Sequence, residues 1–271
     1  MFLHAADGVM QGLKRIIIKT VDTDVVVLAV SQASMLRCEK QYIAFGAGKF
    51  FRYIDTTSIA ETLGAQKCKA LPAFHALTGC DTTSSFAGRG KHTAWITWKM
   101  LPDITPALCT LAHAPTRDSI RELLPPFERF VVLLYDRGNS DDIVDKAIQN
   151  LFTQKHREIE NIPPTQDALY HHLLRVGYQA GHVWSKVLSK APYLPSPSDF
   201  GWARKNEVAL WGVEWMELPP AGAACRAVIK CGCSAGCRGR CKCIKANLPC
   251  SLLCKCGHKC NHDIQYNSGD I

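Results

Sequence analysis

Long apolar runs are missing from this 271-residue chain. The two longest, Val25 to Val30 and Phe130 to Tyr135, fall far short of the roughly 20 residues that cross a bilayer as a helix. No transmembrane helix and no membrane partner is expected. The opening Met-Phe-Leu-His-Ala-Ala-Asp has no basic stretch and meets Asp7 before an apolar one forms, so it does not read as a secretory leader. Low-complexity tracts are missing, as are repeats outside one cysteine-rich stretch. Familiar enzyme signatures are missing too. Gly46-Ala47-Gly48-Lys49 lacks the spacing of a phosphate-binding loop, and Gly90-Lys91-His92 has Ser85 where such a loop needs its first glycine. There is no Gly-x-Ser-x-Gly elbow and no Cys-His pair in a nucleophile's context. The most telling absence is acid: no Asp or Glu stands between Cys225 and His262.

What is present is 47% hydrophobic and 21% charged residues, enough for one sizeable core with a smaller appended unit. A net charge of +8 favours polyanionic partners. Without a leader the expected compartment is reducing, where 14 cysteines read as metal ligands or buried thiols rather than disulfides. Cys38, Cys68, Cys80 and Cys109 are scattered singly, and the other ten lie between Cys225 and Cys260.

Along the chain, Ile16-Ile17-Ile18 and Val25 to Val30 are β-branched runs around Thr20 to Asp24. They predict strand, acidic turn and strand, or one long buried strand. Tyr42 to Ile54 alternates around its glycines like a hairpin, and Thr57 to Leu63 reads as a short helix stopped by Gly64. Further helices are predicted over Lys67 to Leu77 and over Lys91 to Met100, the second stopped by Pro102. Arg117 to Trp184 is mostly helical, with breaks at Pro125-Pro126, Gly138-Asn139-Ser140 and Pro163-Pro164; within it His171-His172 reads as a polar helix face. Pro192, Pro195, Pro197 and Pro219-Pro220 then mark an extended connector carrying Trp202, Trp211 and Trp215.

The cysteine stretch reads Cys231-x-Cys233-x3-Cys237-x3-Cys241-x-Cys243-x6-Cys250-x3-Cys254-x-Cys256-x3-Cys260. Zinc takes four ligands, so isolated sites would use eight of these nine cysteines and strand one; three ions need twelve bonds, which nine thiolates supply if three of them bridge. Around them stand Arg226, Lys230, Arg238, Arg240, Lys242, Lys245, Lys255 and Lys259, a surface suited to phosphates, although a zinc-held protein-docking unit fits the same residues. The spacing resembles the CXC module of the tesmin/TSO1-like family, down to Asn261 after the last cysteine. It departs in having a single copy, and three rather than four residues between Cys233 and Cys237. The resemblance implies three zinc ions on nine cysteines, DNA as partner, the nucleus as location, and Arg240 at the position that enters the minor groove.

Upstream, Asp22-x-Asp24, then Leu77-Thr78-Gly79-Cys80-Asp81, then Gly88-x-Gly90-x3-Ala94 form an ordered set in which backbone N–H groups of the glycine turn can approach a DNA phosphate. This set resembles the later half of the PIN-like, flap-endonuclease fold. The resemblance implies that Asp22, Asp24 and Asp81 hold a divalent ion, magnesium or manganese, for phosphodiester cleavage, and that Gly88, Gly90 and Lys91 hold the duplex. The family's earlier acidic pair has no counterpart here, since the only acid near the beginning is Asp7. A half-domain of this kind joined to one CXC module also resembles transposon-derived multidomain proteins.

The expected fold class is α/β: a truncated PIN-like half-domain over residues 1–115, a helical middle region over 116–190, a connector over 191–220, a zinc-clustered module over 221–262 and a tail over 263–271. The expected function is zinc-dependent DNA association with Arg238, Arg240, Lys242 and Lys245 on phosphates and no efficient cleavage. An active metal-dependent nuclease and a zinc-held interaction scaffold are the alternatives.

Overall fold

Strand β1 (Arg15–Thr20) buries Ile16 and Ile18 and turns Ile17 outward, as a period of two requires. In this computed structural model the described residues are 1–153, 163–205, 210–215, 231–234, 237, 241–245, 250 and 254–256. The fold they form is mixed α/β with a separate cysteine-rich region. Ahead of β1 lies helix α1 (Phe2–Met10), which sinks Phe2 and Ala5 into the core.

The run Val25 to Val30, expected as strand, lies instead in helix α2 (Thr23–Leu36). Two constraints decide this. Asp22 is extended and caps the helix, its carboxylate accepting the Asp24 N–H at 2.8 Å. Strand β2 (Lys40–Phe45) then runs parallel to β1, Arg15 opposite Lys40 and Thr20 opposite Phe45, and a parallel pair needs a crossover element rather than a tight turn. Packing thus overrides the strand preference of the valines. The hairpin expected over Tyr42 to Ile54 is present: β3 (Arg52–Asp55) pairs antiparallel with β2, giving the sheet order β1-β2-β3. Its turn depends on Gly46, whose φ of +87° suits glycine and where an added Cβ would lie 2.8 Å from the Phe50 carbonyl oxygen.

Helix α3 (Thr56–Leu63) is capped by Asp55 and ends at Gly64, as expected. Helix α4 (Ala65–Leu77) packs against α2, and against α6 (Thr105–Leu111) on another side. Between them in sequence, α5 (Lys91–Met100) stops just before Pro102 and stacks Trp98 on Phe74 with ring centroids 4.8 Å apart. The helical middle follows as α7 (Arg117–Glu122), α8 (Leu124–Tyr135), α9 (Val144–Thr153) and α10 (Gln166–Val176), the proline pairs standing in the first turn of α8 and just ahead of α10. Helix α8 is buried over most of its length, and its buried Glu128 accepts the Val144 N–H that opens α9. Helix α10 continues into a π-helical turn, Gly177–Val183, where an added Cβ on Gly181 would collide with Pro115 and the Leu111 carbonyl. The connector carries more structure than proline spacing suggested: β4 (Trp202–Lys205) and β5 (Leu210–Val213) form a two-stranded antiparallel sheet.

One core cluster runs from Phe2 to Phe200 and unites the sheet, α4 and the middle helices. The carboxyl end of α4 lies inside it, so its last carbonyls need partners from elsewhere. Thr83 Oγ1 donates to Ala76 O at 2.6 Å, Lys91 Nζ donates to His75 O at 2.9 Å, and His172 Nε2–H on α10 donates to Leu77 O at 2.8 Å. Burial drives the His172 pKa down to about 4; the bond to Leu77 opposes the fall and the Arg175 charge assists it. His172 is therefore neutral when folded, and an unfolded imidazole of ordinary pKa takes up a proton first. Stability should thus decline as pH drops from about 6.5 toward about 4, by about 3 kcal/mol at most from this group. Chemical denaturation of the full chain at several pH values checks it: His172→Gln should flatten that slope, and an unchanged slope would assign the decline to other groups.

Candidate metal centre

The described cysteines form a second buried cluster of their own. Cys231, Cys241, Cys243, Cys250, Cys254 and Cys256 are buried, Cys233 and Cys237 are half-buried beside them, and Ile244 is the one other described apolar residue packed there. A core with a single aliphatic side chain removes too little surface from water to offset chain entropy. Among the described residues the sulfurs make up nearly all of this core.

Local backbone brings them together. Lys255 N–H donates to Cys231 O at 3.0 Å and Cys231 N–H donates to Cys254 Sγ at 3.3 Å, which pins the two ends of the stretch to each other. Cys241 stands directly before a one-turn helix, α11 (Lys242–Lys245). Burial raises the Cys241 pKa, but N–H groups of Ile244 and Cys243 and the Cys237 thiol outweigh it and bring the value down to about 6. Cys243 goes the other way, up to about 12, through burial and its close neighbour Cys254. Sulfur separations are 3.5 Å for Cys231 and Cys237, 3.4 Å for Cys237 and Cys250, and 3.7 Å for Cys243 and Cys254. Thiols crowded this closely cannot all ionise without a cation among them.

Three quartets have ligand atoms that all lie within 4.8 Å of one another: Cys231, Cys233, Cys237 and Cys241; Cys231, Cys250, Cys254 and Cys256; and Cys231, Cys241, Cys243 and Cys250. Four thiolates at that separation suit a tetrahedral zinc ion with bonds of roughly 2.3 Å. The cluster can hold metal, and its all-sulfur donor set fits zinc. The chain matches no known family model, no curated protein and no solved structure. Its function therefore rests on its own residues. Cys260, Arg238 and Arg240 lie outside the described residues, and Lys242 and Lys245 are described in backbone only.

The acidic residues expected to hold a divalent ion stand in other roles. Asp22 caps α2, Asp24 Oδ1 lies 2.7 Å from His75 Nε2, and Asp81 is exposed in the turn after α4. Among the described residues, the groups of three or more ligand atoms close enough to share an ion are the cysteine quartets alone. His75 was not singled out by sequence, though a histidine near the end of an alanine-rich, apolar helix is a visible signal. Its pKa falls through burial and the Lys91 charge, against the pull of Asp24.

Lys91 points its ammonium inward, to the carbonyls of His75 and Gly79 and to Thr78 Oγ1, and burial lowers its pKa. Gly90 opens α5 as an extended cap, and Gly88 turns with φ +65° ahead of it. Beside them Arg89 lies over the Tyr135 ring, 4.9 Å from its centroid.

Asp22 offers a direct discrimination. As a helix cap its replacement by Ala should cost about 1 kcal/mol in magnesium-free buffer. Thermal unfolding of the full chain measures this; equal or greater stability in Asp22→Ala would mark the carboxylate as a strained, ligand-type group rather than a cap.

Proposed function

We propose that this chain binds three zinc ions in a shared thiolate cluster and uses the basic surface so formed to hold duplex DNA. The observation that carries the proposal is the overlap of the three quartets. Cys231, Cys241 and Cys250 each belong to more than one of them, which is what bridging thiolates require. A consistent assignment gives the first ion Cys231, Cys233, Cys237 and Cys241. The second takes Cys231, Cys250, Cys254 and Cys256. The third takes Cys241, Cys243 and Cys250, and by count the remaining cysteine of the sequence, Cys260, completes it. Every pair of ions then shares one sulfur and all nine cysteines are used.

Zinc here supplies structure, standing in for the small apolar core seen among the described residues. Three dications against nine thiolates carry −3, and the eight basic residues between Cys225 and His262 turn the balance to +5. With no acid in the same stretch to repel phosphates, each phosphate neutralised adds a salt-sensitive increment of affinity. Arg240 is assigned to the minor groove, where arginine suits the negative potential. Phosphodiester cleavage is not part of the proposal: Asp22 and Asp24 are engaged with the α2 cap and with His75, and the Lys91 charge already acts on Asp24.

Metal analysis of the purified full chain should give about three zinc ions and no thiol reactive toward a titrating reagent within the cluster. One or two ions with reactive thiols remaining would overturn the shared cluster.

Binding to duplex DNA should weaken steeply with salt, and Arg240→Ala should erode sequence preference more than Lys255→Ala. Equal effects would remove Arg240 from the groove. Absence of binding at low salt would favour an interaction scaffold. Magnesium- or manganese-dependent cleavage that vanishes in an Asp22→Ala, Asp24→Ala double variant would make the protein a nuclease.

A further inference from the structure

Far in sequence from the cysteine cluster, a cavity of about 210 Å³ opens between α10 and the end of the β4-β5 sheet. Phe86, Ala168 and Trp215 give it apolar walls, and His171, His172 and Arg175 line it from α10. The size is informative. A cavity of about 150 Å³ accepts benzene, so this one suits a single ring with a small substituent at each end.

Its polar groups are incompletely matched. Arg175 is 8% exposed, and its Nη1 reaches only Gly201 O at 3.5 Å and Glu214 O at 3.4 Å, both near the outer limit of a hydrogen bond. Among the described residues no carboxylate comes within 4.0 Å of it, the Glu214 side chain included. The Glu214 carboxylate, which also lines the cavity, acts on Arg175 from beyond ion-pair contact, and burial still lowers the Arg175 pKa, so a directly contacting anion would offset a desolvation that Glu214 meets only in part. His172 is 7% exposed and spends its Nε2–H on Leu77 O, which leaves Nδ1 as an acceptor; that Nδ1 and the Nδ1 of His171 are buried without a partner. The arrangement is built rather than accidental at Gly201, whose φ of +77° and lack of Cβ let Arg175 Nη1 pass at 3.2 Å from where a Cβ would sit.

We propose that this cavity binds a small aromatic acid: one flat ring packed between Phe86 and Trp215, a carboxylate on the Arg175 guanidinium, and an O–H or N–H donor on His172 Nδ1. Each feature of the ligand answers one unmatched feature of the wall. The site is independent of the zinc and DNA reading, since none of its residues belongs to the cysteine cluster or to the basic tail.

The test uses the full chain and 4-hydroxybenzoate, which carries a ring, a carboxylate and an O–H donor. Calorimetry should show saturable binding, at least tenfold weaker for the uncharged 4-hydroxybenzamide, and weaker for benzoate, which has no donor. The imidazole nitrogen resonance of His172 Nδ1 should move as a hydrogen bond forms. Ala168→Phe, which plugs the cavity from its wall and keeps Arg175, should abolish binding and leave the unfolding midpoint of the free protein unchanged. Should that variant unfold, the resonance shift and the amide comparison still decide. Binding of the amide as tight as that of the acid, a His172 resonance that does not move, or no binding at millimolar concentration would overturn the proposal.

Discussion

A buried helix end is the constraint on which the main fold depends. The last carbonyls of α4 lie inside the core, where each unmet acceptor would cost on the order of 1 to 3 kcal/mol. Three separate parts of the chain meet them: Thr83 from the following turn, Lys91 from α5, and His172 from α10. These bonds tie segments up to 95 residues apart to one point. They also explain why Thr83 and His172, two polar side chains, are buried where packing alone would place apolar ones. Lys91 gives up part of its hydration and basicity, and His172 stays neutral into the acid range, down to about 4, for the sake of the same helix end.

The cysteine module meets an equivalent constraint by different means. Among its described residues one aliphatic side chain lies beside the buried sulfurs, which offers little apolar surface to drive collapse there. In the proposed cluster, bonds from thiolate to metal would replace burial, and sharing of sulfurs would let a short segment hold more ions than separate tetrahedra. The absence of acid fits the proposed cluster, which would itself be anionic, since further carboxylates would add repulsion within the module and toward phosphates.

Much of this was legible in sequence wherever a local signal and the tertiary outcome agree. Alternating isoleucines, the glycines of the β2-β3 turn, Gly64 and Pro102 each marked a boundary that the fold keeps. The cysteine spacing marked the residues whose described members come together in one sulfur-rich cluster. The run Val25 to Val30 was misread because β-branched residues favour strands locally, whereas a parallel neighbour demands a crossover that no local pattern reveals. His171-His172 read as a polar face, yet contacts with α4 and with the loop at Phe86 bury His172. Pairing of Asp24 with His75 spans 51 residues and has no counterpart in spacing. Nor does spacing say which cysteines could bridge; that is read from which sulfurs belong to more than one quartet.

X-ray absorption at the zinc edge of the full, zinc-loaded chain tests the central claim most directly. The shared cluster requires four sulfurs around each zinc at about 2.3 Å, with no nitrogen or oxygen neighbour, and a metal-to-metal vector between about 3 and 4 Å from ions joined through one sulfur. A first shell containing histidine nitrogen or water, or a spectrum without that vector, would contradict bridging by Cys231, Cys241 and Cys250 and reduce the module to isolated sites.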